Sequence, residues 1–150
     1  IPRHINRSNE IIQILKKLKL KIMERSNELK PSNDCDIYIV NTYGEMSKFL
    51  ELSNVTFVGG SIANRGGQNP LEAVRMGNFI MHGKKTHNFT EIYKELKNLK
   101  ISSEIKNINE MEKVFIRKHN YKKSKIKLKK INYLGTKIFK RNIEEIKNYL

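Results

Sequence analysis

The sequence predicts an α/β fold, a parallel sheet with helices on both faces. Three observations carry that expectation. Short apolar runs recur at DIYIV (36–40), VTFVGG (55–60) and NFIMHG (78–83), and each is continuous rather than alternating, as strands buried on both faces are. Segments with helical apolar spacing lie between them. The links are a few residues long, and strand, helix and strand in succession on short links describe a parallel sheet. In such sheets ligands sit at the carboxyl ends of the strands. Here those ends fall after Val40, Val58 and Met81.

The elements follow in order. NEIIQILKKLKL places Ile11, Ile12, Leu15 and Leu18 on one helical stripe, and the alternation of Leu18, Leu20 and Ile22 predicts a short strand after it. SNELKPSND is a polar loop around Pro31. After the strand at 36–40, GEMSKFLEL (44–52) puts Met46, Phe49 and Leu50 on one helix face. PLEAVRMG (70–77) is a helix that Gly77 ends as a C-cap. After the strand at 78–83 come an amphipathic helix at 88–99, a strand at ISSEI and a helix at 107–119. The remainder reads as basic helices broken near Gly135.

Composition narrows the class. The chain is 150 residues long and 38% hydrophobic, enough for a domain with a core and not a disordered composition. No apolar run reaches the length of a membrane span. Cys35 is the lone cysteine, which excludes a disulfide framework. The four histidines lack partners at metal-ligand spacing and are expected at the surface or in supporting positions; no metal site and no cofactor is expected. The opening IPRHINRSNE has neither a signal-peptide block nor an initiating Met, so a piece of a longer protein is expected. The net charge of +15 is uneven: from Arg117 onward twelve Lys and Arg face two acids, +10, which leaves +5 for residues 1–116. Such a tail suits an anionic partner or is a solvated helical face.

The strand ends carry the chemistry. In NTYGEM, Gly44 lets the backbone turn from strand to helix near whatever lies above the sheet. The longer stretch is GGSIANRGGQNPLE. Its NPLE has a full local account: Asn69 as N-cap, Pro70 at the first helical position, and Glu72 at capping-box spacing. That account leaves the glycine pairs and Arg65 unexplained, and a loop bringing backbone amides against a ligand explains both. The stretch fits neither a Walker A loop nor GxGxxG.

FVGGSIANRGGQNPLEAVRMGNFIMHGKKTHNF resembles the signature of the 3-deoxy-D-manno-octulosonic acid (Kdo) transferases, close to FVGGSL…RGGHNPLEPA…GKPVLFGPHTFNF. Upstream, DIYIVNTYGEM resembles the family's D…LLGDTMGEL, and IPRHINRSNEI its VPRHPERFDEV. The likeness covers about ninety residues in three ordered motifs. Departures are Gln68 for His, Lys84 for Pro, Lys85 for His and His87 for Phe.

The resemblance implies a Rossmann-like α/β domain, the C-terminal half of a GT-B glycosyltransferase. Residues 1–120 would form a partial CMP-sugar-binding domain, and 121–150 basic helices closing it. It implies transfer of Kdo from CMP-Kdo to a lipid A precursor at the cytoplasmic face of the bacterial inner membrane. CMP contacts would fall on Pro2, Arg3, Tyr43, Gly44, Glu45, Asn69, Pro70, Leu71 and Glu72, with Ser61, Arg65, Gly66 and Gly67 in a supporting loop. The general base lies in the family's N-terminal domain, so none is expected here, and the fragment alone should be inactive. The implied partners are the CMP-Kdo donor, the lipid A precursor and an anionic membrane surface, without nucleic acid. Another nucleotide-sugar enzyme of the same architecture, such as a 2-epimerase, is the second reading, and a basic nucleic-acid-binding domain the third.

Overall fold

From Ile37 to Lys118 strand and helix alternate as the apolar pattern requires. A computed structural model describes residues 1–27 and 30–123, and positions 129, 132, 133, 135, 136, 140, 143, 144 and 146–148. The chain divides into two compact units, Ile1–Phe49 and Leu50–Leu150.

In the first unit a 3-10 turn, Ile5–Arg7, leads into α1 (Ser8–Lys16), which buries Ile12. Strands β1 (Ile22–Glu24) and β2 (Ile37–Ile39) pair in parallel, with Ile22 opposite Ile37 and Glu24 opposite Ile39. The strand expected from Leu18 thus begins only at Ile22. Leu18 N–H bonds Leu15 O at 2.9 Å and Lys19 N–H bonds Lys16 O at 3.1 Å, so the helix ends in a tight turn. Lys19 there has φ 56°, and Leu18 is 63% exposed. The alternating leucines belong to this turn rather than to a strand. Helix α2 (Met46–Leu52) runs from the end of this unit into the start of the second.

The second unit is built on β3 (Val55–Val58), β4 (Phe79–His82) and β5 (Ser102–Glu104), a parallel sheet in the order β3-β4-β5. Its helices are α3 (Leu71–Arg75), α4 (Thr90–Asn98) and α5 (Ile108–Lys118). Every residue of the central strand β4 is buried, and the period of two sorts them between two cores. Ile80 packs with Val58, Ala73, Val74, Tyr93, Leu96 and Ile101, the side of α3 and α4. Phe79 and Met81 pack with Ile105 and Val114, with Val55, Phe57 and Met111 against them, the side of α5. Helices therefore cover both faces of this sheet, and the continuous apolar run at 79–81 is what two covered faces demand.

Helix ends are stopped by named bonds. After α3, Gly77 takes φ 82°, its N–H bonds Val74 O at 2.9 Å, and Asn78 N–H bonds Ala73 O at 3.1 Å. These are the paired bonds of a Schellman motif, which needs a residue free to be left-handed. At the start of α5, Glu110 N–H donates to Asn107 Oδ1 at 2.9 Å, and Glu110 Oε2 accepts Lys106 N–H at 3.0 Å. The stretch 121–150, expected to close the domain, falls largely outside the described residues. Its first part does pack on the second unit: the Tyr121 ring lies 5.4 Å from that of Phe79, and Lys123 Nζ donates to Glu51 O at 2.6 Å. Among the described residues no helix is long and apolar enough to cross a membrane.

Candidate functional site

In the second unit the carboxyl ends of β3 and β4 open into two loops that are bound to each other. Ser61, fully buried, is the bolt. Its hydroxyl donates to Val58 O at 2.7 Å and accepts Gly83 N–H at 2.8 Å. Its carbonyl accepts Lys85 N–H at 2.8 Å. A Cβ on Gly83 would lie 2.6 Å from the Ser61 carbonyl carbon, so glycine is required by the closeness of the two backbones. Farther along, Asn88 N–H donates to Gly66 O at 3.1 Å and Asn88 Nδ2 to Arg65 O at 3.3 Å. Gly67 N–H closes the first loop on Gly60 O at 3.1 Å.

The second glycine pair now has a direct cause. Gly66 and Gly67 sit at φ 76° and 75°, where side chains are strained. A Cβ on Gly66 would overlap the Asn88 side chain, and one on Gly67 would press on the Lys85 and Thr86 backbone at 3.2 and 3.3 Å. Left-handed backbone and loop-to-loop contact account for both residues without a ligand. Arg65 keeps its side chain exposed at the turn of this loop.

The loop then enters α3. Asn69 Oδ1 accepts Leu71 N–H at 3.0 Å, and the first bond to reach into the helix is Val74 N–H to Pro70 O at 3.0 Å. Pro70 is buried and has no N–H, which leaves those of Glu72 and Ala73 without an intrahelical partner. The expected capping box is not formed: Pro70, not Asn69, is the N-cap of α3, and no side chain caps it. Glu72 is exposed, and its carboxylate accepts no hydrogen bond from the described residues. Asn107 and Glu110, at the same spacing, do reach back across their helix start. Underneath, buried Tyr93 donates its hydroxyl to Gln68 O at 3.0 Å and so fixes the residue before Asn69. Burial raises the Tyr93 pKa. The His82 ring lies 4.4 Å from the Tyr93 ring, and its Nδ1 pairs with Gly83 O at 2.8 Å. Burial lowers the His82 pKa, which favours the neutral ring. His4, His87 and His119 are exposed.

In the first unit, Thr42–Glu45 forms the turn between β2 and α2. Gly44 has φ 76° and nothing within 4 Å of a Cβ position, so its backbone conformation alone calls for glycine. Tyr43 stands 85% exposed. Glu45 is fully engaged. Arg25 Nε and Nη2 donate to its two oxygens at 2.8 and 2.6 Å, and Thr42 Oγ1 donates to it at 2.6 Å. Lys48 Nζ stands 3.6 Å away. The bonds from Arg25 and then Thr42 pull the Glu45 pKa down to about 2, while Glu45 raises that of Arg25. Arg25 had no motif to mark it, since its partner lies twenty residues away on another loop. Pro2 and Arg3 lie in irregular chain before the first turn, Arg3 exposed. Among the described residues no group of His, Cys, Asp or Glu could hold a metal ion.

No family model matches the chain. A 3-deoxy-D-manno-octulosonic acid transferase of Haemophilus influenzae is 35% identical over 96 residues, 64% of this chain and 22% of that protein. One of Rickettsia felis is 36% identical over 107 residues, 71% of this chain and 23% of that protein. A bifunctional glycosyltransferase/methyltransferase of Fusobacterium nucleatum is 31% identical over 127 residues, 83% of this chain and 20% of that protein. The chain thus spans about a fifth of the length of the curated relatives it matches. Among solved structures, the C-terminal CMP-Kdo binding domain of WaaA from Acinetobacter baumannii superposes with a TM-score of 0.74 at 26% identity, covering 78% of this chain and 61% of that one. By sequence and by fold the chain is similar to Kdo transferases, and over most of its length it matches part of the C-terminal domain of one of them.

Proposed function

We propose that this chain is the donor-binding part of a glycosyltransferase that moves Kdo from CMP-Kdo to a lipid A precursor at the cytoplasmic face of the bacterial inner membrane. One observation carries the reading. The bolted glycine loop and the NPLE helix start lie at the carboxyl ends of parallel strands, in a chain that superposes on a CMP-Kdo binding domain.

The chemistry is consistent with an anionic sugar nucleotide. CMP-Kdo carries a phosphodiester and a carboxylate. In the second unit the N–H groups of Glu72 and Ala73 are donors for an anion, and the exposed Arg65 and Lys85 add positive charge. The Glu72 carboxylate, which accepts no hydrogen bond from the described residues, is suited to accept from ribose hydroxyls. In the first unit, Arg3 and the backbone of Tyr43 and Gly44 are the proposed contacts. Transfer breaks the bond between Kdo and CMP, so negative charge grows on the leaving phosphate. Donors aimed there act most strongly in the transition state. Removing the proton from the acceptor hydroxyl falls to a base outside this chain.

The test is calorimetric titration of the chain with CMP and UMP at low and high salt. Binding that prefers cytidine and survives salt is the expected result. Equal affinity for both nucleotides, or binding that collapses steeply with salt as nucleic-acid contacts do, would overturn the proposal.

A further inference from the structure

The first unit holds a carboxylate beside the proposed donor contact. Glu45 lies in the turn whose backbone is the proposed donor contact, and a bare carboxylate there would repel a phosphodiester. The structure answers with a clamp. Arg25 meets Glu45 with two parallel bonds, 2.8 and 2.6 Å, the fork-to-fork geometry that only arginine makes. The pair is 19% and 17% exposed, and Thr42 adds a third bond at 2.6 Å. The Arg25 guanidinium carbon lies 5.9 Å from the centre of the Phe49 ring. The backbone at Arg25 is also fixed: its N–H donates to Ile39 O at 2.9 Å. Next to it, Asn41 accepts Ser26 N–H at 3.0 Å and donates to Glu24 and Ser26, each at 2.9 Å. The loops after β1 and β2 are therefore one polar assembly, with Arg25–Glu45 at its centre.

We infer that Arg25 is a positioning residue for donor binding: it neutralises and holds Glu45, so that the Thr42–Glu45 turn offers its backbone and not a negative charge to the sugar nucleotide. The inference rests on the donor-binding reading above and adds a residue that reading does not include. It distinguishes two roles for one acid. Glu45 works through its pairing, and its carboxylate makes no bond to the ligand.

A double-mutant cycle tests it, read by CMP calorimetry on the whole chain with a thermal melt of every variant. Arg25→Met exposes an unpaired Glu45 and is expected to weaken CMP binding about tenfold or more, the scale of a lost bond to a charged group. Arg25→Lys restores the charge without the fork and should fall between Met and the parent. Arg25→Met with Glu45→Gln removes the repulsion and should recover most of the lost affinity. A merely structural role predicts no recovery, because the second substitution removes more of the same bonds. If the double variant binds as weakly as Arg25→Met, or if Arg25→Met binds as the parent does, the inference is wrong. Should Arg25→Met fail to fold, Arg25→Lys alone decides it: unchanged CMP affinity in a folded protein overturns the inference. A parent chain that binds no CMP would sink the donor reading itself, a result separate from these.

Discussion

Glu72 separates helix capping from ligand binding, because the structure removes its capping role in advance. The perturbations are Glu72→Gln and Glu72→Ala, with Asn69→Ala as the control. The side-chain bond at the start of α3 runs from Leu71 N–H to Asn69 Oδ1 at 3.0 Å, one residue before the Pro70 N-cap, and the Glu72 carboxylate has no partner among the described residues. Both Glu72 variants should therefore change stability by no more than about 0.5 kcal/mol, the range of ordinary surface substitutions. For a unit of this size that is a shift of about 2–4 °C or less. Asn69→Ala should lose that bond at the helix start, about 1 kcal/mol, or about 4–8 °C in Tm. Binding should behave in the opposite way. If Glu72 accepts from the ribose hydroxyls, glutamine keeps one acceptor oxygen of two and loses the charge. The loss is about 1.5–3 kcal/mol, or about 10- to 150-fold in Kd. The assay pairs thermal melts with CMP titrations on the same four proteins. CMP bound by Glu72→Gln as tightly as by the parent would refute the ribose contact. A melt lowered as far as that of Asn69→Ala would refute the structural half of the argument.

Three further outcomes are expected. Gly83→Ala should destabilise the fold by about 1–3 kcal/mol, the range of overpacking, because its Cβ meets the backbone of Ser61 and Ile62 at 2.6 and 2.8 Å; an unchanged Tm would contradict this. Tyr93→Phe removes the bond to Gln68 O and should cost about 1 kcal/mol in a denaturant titration, with the midpoint moved and the slope kept. The Arg25–Glu45 pair should stabilise in a pH-dependent way. The folded Glu45 pKa of about 2 lies below its ordinary 4.5, so the contribution is complete above pH 4.5 and is lost as pH falls toward 2. The Tm gap between the parent and Glu45→Gln should close over that window, and a constant gap down to pH about 2 would rule the ion pair out as its source.

Much of the fold was legible because its signals are local. The runs at 36–40, 55–58 and 79–82 are mostly apolar, and β4, buried at every residue, shows the cover on both faces that such a pattern calls for. Gly77 as a helix stop follows from the left-handed residue a Schellman motif requires. What failed to show depends on distance in the chain. The start of β1 was misplaced because Leu18 and Leu20, which precede the strand, alternate with Ile22 just as residues within a strand would. The glycine pairs pointed to a ligand, yet Gly66 and Gly67 answer to residues 85–88, contacts that only the folded chain brings together. Arg25 carried no motif, and its partner Glu45 lies twenty residues away on another loop. Asn69 and Glu72 mimic a capping box by spacing, and spacing alone does not separate them from Asn107 and Glu110, which do reach back across their helix.

The bond between Ser61 and Gly83 has a consequence for how this site can change. Neither loop owns its shape: each is the mould of the other, down to a missing Cβ at Gly83 and a hydroxyl at Ser61. A chimera that imports residues 59–69 from a relative while keeping 83–88 would have to match both the hydroxyl and the bare backbone opposite it. The two segments are thus a single heritable part, although β4 and α3 separate them in the chain. Grafts that move them together should fold, and grafts that move one should not.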